Sequence, residues 1–210
     1  RPDPGQRGYV QHFYLDFGDS LGSRWFSDGM TRRIGHSYIV DFGHMLTDLL
    51  TLGAIPRPWT QVEVSEVSQL FAYFDVHFFD PESWKPGLPN PTLNAMDQRD
   101  AFWATLILSR FSNDHIDRLV EAGNFSNPID ARYLEAVLVG RRDRIVSTYF
   151  KRMSPLVAPS VEPRRLCVED AWVAGSFGAA RDAFYEVRIF RARSADNRQP
   201  AWRVLDDTAD

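Results

Sequence analysis

Helix signals in the middle of the chain constrain its fold most. Three consecutive stretches each combine a capping or breaking residue with an apolar pattern of helical length. They cover roughly 96 to 111, Ser112 to Gly123, and Asn127 to about Lys151. In the first stretch "AFWATLIL" is apolar nearly all round, which predicts a central helix. In the third, Pro128 follows the Asn127 cap at the first helical position, where its missing N–H costs nothing.

Strand-like stretches lie on both sides of these helices. "YVQHFYLDF" near the start reads as a strand, and three alternating segments follow the proline-rich "MSPLVAPSVEP", which reads as a linker. The three segments are "RRLCVEDAWVAG", "AFYEVRIFRARS" and "AWRVLD", and Cys167 in the first is expected to be buried. The sequence therefore predicts an α+β fold. It has a mainly helical lobe with a few strands over 1–153, then a linker and a small β appendage over 154–210 that must pack on other structure.

Composition narrows the classes of function. Hydrophobic residues make up 44% of the chain, enough for a packed core, and the net charge of -4 argues against a nucleic-acid-binding surface. A single cysteine excludes an internal disulfide and any multi-cysteine metal site. Since no apolar run approaches the roughly 18 residues of a membrane span, no transmembrane segment is expected in this chain.

The triplet Asp-Phe-Gly occurs twice, as Asp16-Phe17-Gly18 and as Asp41-Phe42-Gly43. After the second copy, apolar residues repeat at helical spacing until Gly53, so Asp41 is predicted to cap a helix. Val40 and Met45 could close a hydrophobic staple around that cap. The cap explains the second copy better than a metal ligand does.

The first copy follows the predicted strand, so the Asp16 carboxylate would project from the end of that strand. Glycine lets the backbone turn sharply there, and Mg²⁺ prefers carboxylate and phosphate oxygens. Phe17 and Gly18 would shape the turn, with Asp19, Ser20 and Ser23 nearby. Asp16 is thus the candidate magnesium ligand, and the alternative is an ordinary turn that ends a strand.

Other polar groups allow weaker hypotheses. A mixed site of His12, His36 and His44 with the two aspartates is conceivable, but the spacing matches no zinc pattern. His77 and His115 are expected to be surface or capping residues. Phosphates could be contacted by Arg24, Arg32 and Arg33. For Arg141, Arg142 and Arg144 around Asp143, a solvated helix face with internal ion pairs is favoured over a phosphate or acidic partner.

Residues 9–153 resemble the C-terminal part of a group of uncharacterised bacterial proteins. The resemblance is carried by "YVQHFYLDFGDSLGS", "GHSYIVDFGHMLTDLLTLG", "DPESWKPGLPNP" and the stretch from "RDAFWATLILSRF" to "VGRRDRI". Those proteins look distantly kinase-like, similar in arrangement to HipA-like and secretory-pathway atypical kinases. The resemblance implies a kinase C-lobe-like fold, Asp16 as a ligand of Mg²⁺ and ATP, and a bacterial cell-envelope or periplasmic location.

A kinase also needs a phosphate-binding lobe, a lysine and a catalytic aspartate, and fifteen residues before Asp16 cannot supply them. The chain alone is therefore expected to be inactive, with any phosphotransferase activity belonging to a longer parent. The partner would be a missing upstream segment or another protein chain. The competing hypothesis is a non-catalytic cell-envelope or complex-subunit interaction protein that uses aromatic loops such as "SRWF" and "ESWKPGLPNP".

Overall fold

The computed structural model describes Leu21 and residues 32–68, 70–71, 73–163, 165–182, 184–186, 190–193 and 201–204. Within these ranges the fold is α+β and mainly helical, as predicted. The α-helices are α1 Phe42–Thr51, α2 Pro91–Asn94, α3 Gln98–Leu108, α4 Asn113–Ala122, α5 Pro128–Phe150 and α6 Ala171–Ala174. Two short 3₁₀ helices span Pro58–Gln61 and Ala180–Asp182. The strands are β1 Leu156–Glu162, β2 Arg165–Asp170, β3 Phe190–Arg193 and β4 Ala201–Val204.

The predicted caps begin the helices as expected. The Ser112 hydroxyl accepts from the His115 N–H at 3.2 Å, and the Asn127 side chain accepts from the Ile129 N–H at 3.0 Å. His115 returns the contact, since its Nδ1 accepts from the Ser112 N–H at 3.2 Å. The expectation that His115 is a surface or capping residue is thereby confirmed. These bonds satisfy N–H groups of the first helical turn, which have no partner inside the helix.

Helix α5 is the central element of the described structure, and α3 and α4 both pack against it. Two apolar clusters lie along its length. One joins α4 and the loop before α2 to the first half of α5 and consists of Phe71, Phe74, Ile116, Val120, Leu134 and Val137. The other lies near the end of α5 and consists of Val146, Phe150 and Ala171, with Phe102, Leu106, Val157, Trp172 and Phe177 packed against them.

The prediction that α3 is central is wrong. Its buried residues are the small Ala101 and Thr105, whereas Trp103 is 66% exposed and Ile107 is also exposed. Small side chains allow α3 to approach α5 closely, which leaves the bulky residues of the opposite face outside. An apolar run without a polar side cannot indicate which face a neighbour will cover.

The proline-rich stretch predicted as a linker contains a strand instead. β1 pairs antiparallel with β2, and the register shifts between Val157 and Ser160. At that bulge Ala158 has φ 48°, and Pro159 follows it. Because proline has no N–H for a ladder, a bulge is one of the few places where a strand tolerates it.

The predicted strand "RRLCVEDAWVAG" is interrupted, and Cys167 within it is exposed rather than buried. β2 ends at Asp170, whose carboxylate accepts from the N–H groups of Trp172 and Val173 and so starts α6.

The other two predicted strands contain β3 and β4, which pair antiparallel. Apolar contacts join Val146 and Phe150 of α5 to Ala171 of α6. The division into 1–153 and 154–210 stays a prediction.

Candidate functional site

Helix α1 exposes almost all of its apolar side chains. None of its residues is buried, although Phe42, Met45, Leu46, Leu49 and Leu50 recur at helical spacing. Phe42 is 78% and Leu49 72% exposed, and the rest are more than half exposed. Leu52, just past the last turn, is also exposed. We call these six side chains the α1 face: Phe42, Met45, Leu46, Leu49, Leu50 and Leu52.

The geometry of α1 is fixed at both ends. At the start, the Asp41 carboxylate accepts from the His44 N–H at 3.2 Å, which confirms the predicted cap. At the end, Leu52 and Gly53 adopt positive φ angles of 51° and 75°, and both N–H groups are bonded to the carbonyl of Asp48. This left-handed ending stops the helix where the sequence predicted it. The predicted staple buries little, because Val40 and Met45 are both more than half exposed.

Four polar side chains surround the start of α1: Ser37, Asp41, His44 and Lys85. The Lys85 Nζ lies 3.2 Å from Asp41 Oδ2, and His44 Nδ1 lies 3.4 Å from the same oxygen. Desolvation raises the pKa of Asp41, but hydrogen bonds from the His44 N–H and the Lys85 ammonium outweigh it, so the pKa is lowered overall. The carboxylate is therefore held ionised as a cap.

This cluster does not have the geometry of a nucleophilic triad. Ser37 Oγ lies 3.0 Å from His44 Nδ1, the same nitrogen that faces Asp41. A relay needs the serine on one ring nitrogen and the carboxylate on the other. Ser37 is also fully buried, so substrate could not reach its hydroxyl. The cluster instead anchors α1, helped by a backbone bridge between Gly35 and Lys85.

Further contacts, made by Arg57, Trp59 and Arg33, hold α1 and the residues before it in place. The Arg57 guanidinium donates to the carbonyl of His44 at 2.7 Å and pairs with Asp48. The His44 ring packs against Trp59 with centroids 5.1 Å apart. The guanidinium carbon of Arg33 lies 5.3 Å from the centroid of the Trp59 ring, and Arg33 Nη2 donates to the carbonyls of Tyr38 and Ile39. Arg33, which the sequence offered as a phosphate contact, thus already binds backbone oxygens.

The predicted magnesium site lies outside the described residues. This applies to Asp16, Phe17 and Gly18, and also to His12, Asp19, Ser20, Ser23 and Arg24. His36 is half-buried, and burial lowers its pKa although the charge of Asp75 opposes the shift. In the described ranges, no group of three or more His, Cys, Asp or Glu side chains could hold a metal ion. The magnesium role of Asp16 stays a prediction.

The expectation of a solvated arginine face on α5 is wrong for Arg141 and Arg142, which are largely buried. Arg144 is exposed as expected, and Arg142 forms an internal ion pair with Asp143. Arg141 donates from Nε to the carbonyl of Asp75 at 2.7 Å and lies over the rings of Phe74 and Phe79, at 3.8 and 4.5 Å. Burial lowers the pKa of Arg141 to about 10. Arg144 donates to the carbonyls of His77 and Phe79 at 2.9 and 2.8 Å. The two arginines thus hold the aromatic loop 74–79 against α5.

Sequence reasoning missed this role, although one signal was present. The loop "FAYFDVHFF" is rich in aromatic residues and follows no regular strand or helix pattern. Carbonyls in such a loop need donors from elsewhere when the loop packs against a helix.

Comparison with known proteins gave no match: no family model fits the sequence, and no curated protein or solved structure resembles it significantly. Among the described residues, no helix has both the length and the apolarity needed to cross a membrane.

Proposed function

We propose that this chain is a non-catalytic subunit that binds another polypeptide through the α1 face. The observation that carries the proposal is that every side chain of the α1 face is more than half exposed, on a helix whose two ends are fixed. Contiguous apolar patches beyond a few hundred Å² are rare on monomers and mark interaction sites. Phe42, Met45, Leu46 and Leu49 stand at i, i+3, i+4 and i+7, the spacing with which a helix anchors in a groove.

The charge distribution favours a protein partner over a membrane surface. Interfacial helices usually carry Lys or Arg that attract anionic lipid headgroups. α1 contains neither, and its single aspartate, Asp48, is paired with Arg57. The complementary surface should therefore be an uncharged apolar groove. A cell-envelope location is part of the same proposal.

The test replaces two central residues of the α1 face by glutamate, as Leu46→Glu with Leu49→Glu. Because both side chains are exposed, we expect the melting temperature to change little, as surface substitutions shift stability by about 0.5 kcal/mol or less. A photo-crosslinking residue at position 49, introduced in the cells that make the protein, should capture one protein. The same residue at position 161 on β1, which is 83% exposed, should not. The captured protein, once purified, should bind the double variant about 100-fold more weakly than the wild type.

Two results would overturn this proposal. A large fall in melting temperature would mean that the chain itself covers the α1 face. A wild-type dimer in sedimentation experiments that dissociates in the double variant would identify a second copy as the occupant.

A second candidate function is magnesium-dependent nucleotide binding at Asp16, as part of a longer phosphotransferase. It is supported by the first triplet and by the kinase-like resemblance. Asp41 of the second copy serves as a helix cap, so the first copy is the one that remains as a candidate metal ligand. We expect the polypeptide isolated from its own cells to bind ATP in a magnesium-dependent manner. Asp16→Ala should abolish this binding, whereas Asp28→Ala, which removes the same charge twelve positions later in the sequence, should not. Calorimetric titration that detects no binding by the wild type would exclude the candidate.

A further inference from the structure

A cleft of about 1020 Å³, lined by both polar and apolar side chains, shares no residue with α1. It is bounded by the end of α3, the start of α4, the middle of α5, and the β1, β2 and α6 segments. This volume lies at the upper end of the range for small-ligand sites. The cleft is therefore large enough for a short peptide.

One residue that lines the cleft, Arg142, has a buried guanidinium group with one unused N–H donor. Arg142 has a side chain only 7% exposed, and it donates to the Phe111 carbonyl, Asn113 Oδ1 and Asp143 Oδ1 at 2.6 to 2.8 Å. These bonds use Nε–H, both N–H groups of Nη2 and one of Nη1. A guanidinium has five N–H groups, so one on Nη1 has no partner among the described residues. A carbonyl oxygen of a ligand could accept a hydrogen bond from this N–H group.

The charges that line the cleft leave one cation and one anion unpaired. Asp143 is paired with Arg142, and Asp114 is paired with Arg118 outside the cleft. Arg110 and Glu169 are both exposed and have no charged partner in the described ranges. The site therefore presents one positive and one negative group to a ligand. Such a pair complements a molecule that carries both a carboxylate and an ammonium group.

The remaining walls suit apolar side chains and a peptide backbone. Trp172, Phe177 and Leu106 supply the apolar surface, and Ser147 supplies a hydroxyl with no hydrogen-bond partner among the described residues. We propose that this cleft binds a short free peptide with apolar side chains. Arg110 pairs with its C-terminal carboxylate, Glu169 with its N-terminal ammonium, and Arg142 donates to a backbone carbonyl.

The experiment is calorimetric titration of the full chain with trileucine, N-acetyl-trileucine and trileucine amide. Trileucine should bind, and blocking either end should weaken binding roughly 10- to 100-fold, as expected for a lost charged hydrogen bond. Glu169→Gln should lose affinity for trileucine but no longer distinguish it from the acetylated form. Arg110→Gln should likewise no longer distinguish trileucine from the amide. Arg99→Gln and Glu162→Gln, which change charges on exposed residues outside the cleft, should bind all three peptides like the wild type.

Three results would overturn the proposal. The first is the absence of binding of trileucine at millimolar concentration by a wild type with an intact circular dichroism spectrum. The second is binding that does not change in Arg110→Gln and Glu169→Gln. The third is an equal loss in the two control variants, which would indicate nonspecific charge effects.

Discussion

Replacing Arg142 by methionine should lower the free energy of unfolding by about 3 kcal/mol. The reason is that the acceptors now bonded to this buried guanidinium would lose their hydrogen-bond donor. Methionine keeps much of the length of the side chain, so the apolar contacts of the stem are largely preserved. What disappears is the set of bonds to the Phe111 carbonyl, Asn113 and Asp143. These bonds join the turn between α3 and α4 to the middle of α5. Losing them should loosen the packing of α4 most.

Urea unfolding followed by circular dichroism would measure this effect. The matched control is Arg118→Met on α4, whose side chain is 73% exposed and pairs with Asp114. A surface pair of this kind contributes little, so we expect a change below about 0.5 kcal/mol. Arg142→Lys should also be destabilising, because an ammonium cannot supply the planar fork that three acceptors require. Equal effects of Arg142→Met and Arg118→Met would show that Arg142 is not an anchor of this turn.

Arg142 also illustrates what the sequence could and could not predict. Helix ends were predictable because a cap depends on residues two or three positions apart, as at Asp41, Ser112 and Asn127. The environment of an arginine depends on residues far away in sequence, such as Phe111 for Arg142 and Val76 for Arg144. No local pattern carries that information. A cluster of arginines on a helix therefore looked solvated although two of them are largely buried.

The strand content shows the same division between local and distant information. Three prolines within residues 153–163, Pro155, Pro159 and Pro163, made this stretch resemble a linker, since clustered prolines favour a break. The strand exists because β2 pairs with it and the bulge at Ala158 accommodates Pro159. For the candidate functional site, the sequence indicated α1 and its cap. It did not indicate that the apolar side of α1 would be left exposed, because exposure depends on which elements fail to pack there.

Val146→Asp should have the largest effect of the substitutions considered, about 4 kcal/mol or more, because it places a carboxylate where no water can reach it. Val146 is completely buried and belongs to the apolar cluster against which residues of α3, β1, α6 and the segment after α6 pack. The control is Val161→Asp on β1, which is 83% exposed and should cost less than about 1 kcal/mol, the range of strand propensities. Urea unfolding would compare the two variants.

Hydrogen exchange on the Val146→Asp variant then addresses how the chain is divided. If 1–153 and 154–210 were independent units, the damage would be confined to the helices, and the amides of β1 and β2 would keep their protection. We expect β1, β2 and α3 to lose protection together, because Phe102, Val157 and Trp172 all pack on the cluster that Val146 completes. A two-stranded sheet is at best marginally stable without such support. Retained protection in β1 and β2 would contradict this expectation and support a boundary near residue 153. Its loss would mean that the β segment after α5 takes its stability from the helical lobe.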